Sequence, residues 1–355
     1  MFAVTRNARD GRKRARLFSR TGASVLRIIF SLLITFLGLL LVTFLIGRIL
    51  PIDPVLAAVG DHASEAVYQR VKEEMGLNLP LWKQFFLYIS NIFQGDFGRS
   101  VLTSNPVLDD IKRVFPATLE LATLATIIGV SLGIPAGVFA AINKGKWPDH
   151  IVRILGLAGH SMPIFWLGLM GLLVFYMKLG WVAGPGRLDS FYLDFIEPTT
   201  GLMLVDTLIE GDMDLFWNAV SHIILPASIL AYFSLAYIAR MTRSFMLEQL
   251  SQEYILTARV KGISEHRIIW RHALGNVMVP LITVIALSYA SLLEGSVLTE
   301  IIFAWPGLGL YITNSLLNAD MNAVLGGTVV VGAVFIGVNM LSDVLYRVLD
   351  PRARR

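Results

Sequence analysis

Apolar and polar positions in this chain fall into long blocks rather than into strand alternation. Six apolar runs are long enough to matter: Arg27–Ile49, Leu119–Ile142, His160–Leu179, Ile223–Ala239, Val277–Leu298 and Ala323–Leu345. A helical run of roughly 20 residues crosses about 30 Å of hydrocarbon. No sustained two-residue period appears, so helices rather than a barrel satisfy the backbone in lipid. The pattern predicts six membrane-spanning helices, with the third and fourth the least sharply bounded.

Between the runs the pattern changes character. Residues 50–115 contain V-Y-Q-R-V-K-E-E-M-G-L, an amphipathic helix ending near Gly76. Pro80 and the aromatic run Leu81–Phe93 follow, with Trp82, Phe85, Phe86 and Tyr88, and suit a membrane surface or a cover over an opening. In the second run Gly129, Gly133 and Gly137 recur every four residues and share one helix face. Small residues at that spacing let helix backbones approach closely in lipid, either as fixed packing or as a face that slides. Pro135 predicts a kink there. Gly326, Gly327, Gly332 and Gly337 give the last run a similar but less regular character.

The polar stretch 253–280 stands between two apolar runs. Glu253–Lys261 reads as a helix, Gly262 as its stop and Glu265–Leu274 as a second helix with Ser264 at its N-cap. Pro280 is expected in the first turn of the next span. Tyr254, Ile255, Ala258 and Ile263 form an apolar stripe on an otherwise charged segment, which predicts a groove on another protein.

Composition supports the membrane class: 355 residues, 55% hydrophobic and 16% charged, with a mean hydropathy of +0.65, too apolar for an ordinary soluble domain. Charge then sets topology. Arg6, Arg9, Arg12, Lys13, Arg14, Arg16, Arg20 and Arg27 crowd the start of the chain. Lys144, Lys146 and Arg153 mark 143–153. Arg240, Arg243, Arg259, Lys261, Arg267 and Arg271 mark 240–276, and Arg347, Arg352, Arg354 and Arg355 mark the end. The alternate stretch 180–222 sets Asp189, Asp194, Glu197, Asp206, Glu210, Asp212 and Asp214 against Arg187 alone, and 299–322 has no Lys or Arg. Basic loops lie in the cytoplasm, so both termini are predicted there. Basic residues spread over four loops beside apolar runs do not make a nucleic-acid surface. The first run is longer than a signal-peptide core and is expected to remain as an anchor. The chain has no cysteine, so thiol chemistry and thiolate metal sites are excluded.

Catalytic signatures are missing. Gly145-Lys146 lacks the glycine and hydroxyl residue of a phosphate loop, and no H-E-x-x-H occurs. Ionisable residues that could line a pathway or gate are Glu294, His160 and Glu120, each near the end of a run rather than its centre. They keep an ion-coupled secondary transporter open as the alternative, with a membrane scaffold as a third reading. Otherwise the energy for transport comes from a partner.

Several stretches together resemble one family. E-Y-I-L-T-A-R-V-K-G…R-H-A-L-G-N-V-M-V-P at 253–280 is similar to the cytoplasmic EAA loop of ABC-importer permeases, more narrowly the B-type subunits of dipeptide and oligopeptide importers. G-D-F-G-R-S at 95–100, P-A-T-L-E-L-A at 116–122, S-M-P-I-F-W-L-G at 161–168, K-L-G-W at 178–181, H-I-I-L-P-A at 222–227, E-I-I-F-A-W-P-G-L-G at 300–309 and L-D-P-R at 349–352 agree in order. Tyr254 and Thr257 replace the small residues of a strict E-A-A, Gly275 stands where a basic residue is common and Leu310 where a polar one often follows.

The resemblance implies an all-α type I ABC-importer membrane domain with a defined layout. This comprises a basic cytoplasmic tail 1–26, a first transmembrane helix 27–49, a periplasmic segment 50–115, an ABC transmembrane type-1 domain 116–346 with its coupling loop near 240–276, and a cytoplasmic tail 347–355. It implies a heterodimer with a second homologous permease, two ABC ATPase subunits below and an extracytoplasmic substrate-binding protein above. It implies that Glu253, Tyr254, Ala258, Gly262 and Ile263 couple to an ATPase, and that ATP and magnesium sit on the partners with no cofactor in this chain. Peptide is the implied cargo; nickel, opines and sugars are the alternatives within the same family.

Overall fold

The structure, a computed structural model, describes residues 30–48, 54–60, 63–196 and 199–349. The basic tail 1–26 and the arginines beyond 349 lie outside the described residues. Among those described, everything regular is helical apart from one isolated bridge between Arg99 and Pro106.

Two long helices form the spine. α5 (Val107–Ile142) and α9 (Met213–Leu250) run 36 and 38 residues. At 1.5 Å per residue each is about 55 Å long and overshoots a bilayer core. Preceding them are α1 (Phe30–Arg48), α2 (Pro54–Val59), α3 (Glu65–Glu74) and α4 (Leu81–Phe93). Between them lie α6 (Trp147–Ser161), α7 (Ile164–Gly171, extended as a π-helix to Lys178) and α8 (Met203–Glu210). After them come α10 (Glu253–Val260), α11 (Glu265–Arg267), α12 (Leu274–Gly295), α13 (Val297–Ile302), α14 (Leu308–Leu317) and α15 (Met321–Leu349).

The glycine repeat sits in the seam between α5 and α9. A Cβ on Gly129 would come within 2.6 Å of the Ser234 hydroxyl, and one on Gly137 within 2.6 Å of the Ala239 carbonyl. Gly133 faces Ile238 at 3.2 Å. Above the seam, Leu121 and Ala125 pack with Ile223, Leu230, Leu293 and Trp305. Below it, Val138 and Ile238 pack with Met246, Val277 and Leu281.

Residues 63–93 follow their sequence pattern closely. Ser64 caps α3, accepting from the Val67 N–H, and Gly76 ends that region at φ +68. α4 lays Phe85 and Tyr88 against Phe44 of α1, with ring centroids 5.3 and 5.7 Å apart. Its other face leaves Trp82, Phe86 and Phe93 exposed.

The third crossing differs from the expected continuous run His160–Leu179. α6 and the α7 segment form a pair bent by 99°, with the break at Met162 and Pro163, whose ring cannot continue the preceding turn. The pair runs beside α9 from about Arg243 to Ser221. Asp149 meets Arg243, Leu155 accepts from Tyr232, and Gly171 faces Leu225 and Ile229. The next link is the Ala183 N–H to the Ser221 carbonyl. Among the described residues five helices are long and apolar enough to cross alone, and six if the bent pair counts as one span.

Pro280 also departs from expectation. The helix beginning at Glu265 passes through a π-helical stretch, Ile268–Ala273, directly into α12. Pro280 is therefore interior rather than in the first turn, and 265–295 acts as one 31-residue rod. Ser264 occupies the N-cap position but its side chain makes no cap bond; its carbonyl accepts from Ile268 instead.

Candidate coupling site and outer clasp

α10 hangs between the end of α9 and the start of the 265–295 rod. Gly262, at φ +74, closes it with two backbone bonds: Ile263 N–H to the Ala258 carbonyl and Gly262 N–H to the Arg259 carbonyl. That is the six-to-one and five-to-two pairing that left-handed glycine allows. Across the turn Arg259 Nε donates to Glu265 Oε1 at 2.7 Å. Tyr254 donates to Gln249 Oε1 at 2.9 Å and accepts from Asn276 Nδ2 at 3.0 Å, tying α10 to both neighbours.

The apolar stripe does not face a partner as expected. Ile255 is fully buried and Ala258 nearly so, packed with Met246, Ile268, Ala273 and Val277, while half-buried Ile263 packs against the same cluster. The groove that receives them belongs to this chain. What α10 offers outward is Glu253, Leu256, Thr257, Val260 and Lys261, with Leu256 63% and Val260 82% exposed. The sequence held this signal: Leu256 and Val260 are one helical turn apart and so share a face, opposite Ile255 and Ala258.

At the other end, two of the quoted motifs clasp each other. Glu300, in α13, is fully buried. Its carboxylate accepts from Thr118 Oγ1 at 2.7 Å, Ser296 Oγ at 3.0 Å and Leu310 N–H at 2.9 Å. Thr118 accepts in turn from the Leu308 N–H, so the first turn of α14 is satisfied by a carboxylate and a hydroxyl. Gly307 is required beside it, since a Cβ would lie 2.5 Å from the carboxyl carbon. Trp305 Nε1 donates to the Ala117 carbonyl at 2.9 Å. Arg187 spreads over the Trp305 ring, 5.4 Å from its centroid, and donates to Glu120 Oε2 at 2.5 Å and to the Gly201 carbonyl. Glu120 also accepts from the Leu204 N–H. Glu120 is thus held in an ion pair rather than facing solvent.

Glu294 lies at the C-terminal end of α12, exposed in the isolated chain, beside a cavity of about 40 Å³ that also touches Thr118 and Leu308. It has no hydrogen-bond or ion-pair partner among the described residues. His160 lies near the end of α6, and its side chain is outside the described residues. Among the described residues no group of three metal-capable side chains occurs.

Residues 133–355 match the family described as "Binding-protein-dependent transport system inner membrane component", and residues 23–122 match its N-terminal counterpart. The chain belongs to that family. It is 44% identical over 324 residues to the dipeptide transport system permease protein DppB of Escherichia coli (strain K12), covering 90% of this chain and 95% of that one. The di/tripeptide transport system permease protein DppB of Pseudomonas aeruginosa (strain UCBPP-PA14) is 43% identical over 321 residues, with the same coverage. DppB of Alkalihalophilus pseudofirmus is 38% identical over 332 residues, 94% and 99% of the two chains. An inward-facing structure of the MetNI methionine ABC transporter is similar at TM-score 0.47 and 18% identity over 66% of this chain and 93% of that one. The protein is a multi-pass permease of the bacterial inner membrane, a transport component rather than a catalytic subunit, and such systems work with ATPases and a substrate-binding protein.

Proposed function

We infer that this permease forms half of a peptide translocation channel, paired with a second homologous permease, and that α10 seats on one of two ABC ATPase subunits. The observation that carries this is α10 itself: an eight-residue helix fixed to two membrane rods by Tyr254, Ile255 and Ala258, with Leu256 and Val260 bare on the opposite face. Movement of a subunit gripping that face passes into α9 and the 265–295 rod with little slack, because no flexible linker intervenes. Glu253 and Lys261 rim the apolar pair and orient it. Tyr254, Ala258, Gly262 and Ile263 act from behind, holding the lever in place. The outer ends, tied by the Glu300 and Arg187 clasp, face the binding protein, and both termini lie in the cytoplasm.

ATP binding and hydrolysis, with magnesium, belong to the ATPases, and this chain hydrolyses nothing. Peptide cargo is supported by the names of the relatives at 38–44% identity. In proteoliposomes holding the complete transporter, Val260→Asp or Leu256→Asp abolishes ATP-driven peptide uptake while the permease still assembles, since neither side chain is buried in the chain. Wild-type uptake that tracks a proton gradient without ATP would establish the secondary-transporter alternative. A cognate binding protein that holds nickel, an opine or a sugar but no peptide would redirect the cargo alone.

A further inference from the structure

At the end of the α6–α9 seam marked by the basic loops lies a cavity of about 390 Å³. Its polar side is formed by His150, Arg153, Arg240 and Arg243, its apolar side by Ile154 and Leu157. One of the three arginines is neutralised. Arg243 donates from Nε and Nη2 to buried Asp149 at 2.5 and 2.8 Å, and Asp149 also accepts from the Gly145 N–H. Arg153 and Arg240 are in no contact ion pair among the described residues, although the charge of Arg153 also acts on Asp149; Arg240 lies 5.6 Å from the centre of the Tyr237 ring.

The cavity lies where the apolar stretch of α9 gives way to its basic end. Arg240 directly follows the apolar stretch of α9 that ends at Ala239. On α6, Ile154 is 63% and Leu157 70% exposed one and four residues beyond Arg153, facing outward as lipid-contacting residues do. The site is therefore amphiphilic: two guanidinium groups outside any contact ion pair, Arg153 and Arg240, beside the exposed apolar side chains Ile154 and Leu157.

We propose that this cavity binds the phosphate headgroup of an anionic membrane phospholipid, gripped by Arg153 from α6 and Arg240 from α9, with an acyl chain over Ile154 and Leu157. Guanidinium groups suit phosphate oxygens because their fixed N–H fork matches the oxygen geometry. Basic pockets between membrane helices on the cytoplasmic side are where anionic headgroups bind. A free anion would use the arginines but leave the apolar floor bare. The bound phosphate adds a second tie between α6 and α9 beside the Asp149–Arg243 pair, and it does so independently of cargo or ATPase coupling.

The assembled transporter is reconstituted in nanodiscs of phosphatidylcholine with or without phosphatidylglycerol. Lipid retained after extraction is counted by native mass spectrometry, and the melting temperature is followed. Phosphatidylglycerol is retained by the wild type and raises its melting temperature, while inorganic phosphate alone does not. The Arg153→Gln/Arg240→Gln double variant loses about thirty-fold in affinity, from about 1 kcal/mol per arginine and about 1.4 kcal/mol per tenfold. Arg153→Lys/Arg240→Lys, which keeps the charge, loses less and guards against misreading a folding defect. Equal retention by wild type and Gln variant, equal retention of both lipids, or full replacement by inorganic phosphate overturns the proposal.

Discussion

Glu300 shows how a single residue can organise one end of this permease. It is a buried carboxylate facing no cation and held by hydroxyl and backbone donors from α5, α12 and α14. Burial pushes its pKa above the ordinary value of 4.5, and the donors pull it back down. With the folded value raised, stability from the protonated form is complete below pH 4.5 and is lost as pH rises through the folded value. Removing the side chain leaves several buried donors unpaired, each costing about 1–3 kcal/mol. Glu300→Ala should therefore lower thermal stability in detergent by about 3 kcal/mol or more. Glu300→Gln keeps one acceptor oxygen, should fall between, and should flatten the pH slope. An alanine variant that melts like the wild type would remove the clasp from the account. The sequence reading passed over Glu300 because its key partner, Thr118, is 182 residues away, and no local period records such a contact. Glu120 reads from sequence as a pathway candidate because its partner Arg187 is 67 residues away.

Among the elements, legibility tracked how local the cause was. α5, α9, α12 and α15 were readable from apolar length, and the α3 and α10 ends from Ser64, Gly76 and Gly262. The break in the third crossing was not read, although Met162-Pro163 stood in view, because apolarity continues across it. The orientation of α10 was misread because an eight-residue helix carries two apolar stripes and only packing decides which is covered. The seam between α5 and α9 allows a graded test. A methyl at Gly137 would meet the Ala239 carbonyl at 2.6 Å, one at Gly133 would meet Ile238 at 3.2 Å, and one at Gly38 of α1 would meet nothing within 4 Å. Gly137→Ala should cost about 1–3 kcal/mol, the usual range for overpacking. Gly133→Ala should cost less, and Gly38→Ala nothing. Thermal melts that rank these three in another order would contradict the close approach of the two helices.

For the whole molecule, side-chain and backbone ties sort the loops into two ends without reference to the charge pattern. Asp149 with Arg243 joins 143–153 to 240–276. Ser100 with Asp320, Gly186 with Phe303 and Arg187 with Glu120 gather 50–115, 180–222 and 299–322 at the other. The charge pattern separates 143–153 and 240–276 from 180–222 and 299–322 in the same way, while 50–115 is mixed in charge, and the expectation from it is that the first group is cytoplasmic. The cytoplasmic position of α10 and its grip on an ATPase are the claims that make this permease ATP-driven. The chain has no native cysteine, so Val260→Cys gives a single reactive thiol on the exposed face of α10, and Ala258→Cys a buried control. Crosslinking of the assembled transporter should join Val260→Cys, and not Ala258→Cys, to an ATPase subunit, with a yield that changes when nucleotide is added. A thiol at 260 that is labelled from outside intact cells, or that never reaches an ATPase in any nucleotide state, would contradict the account.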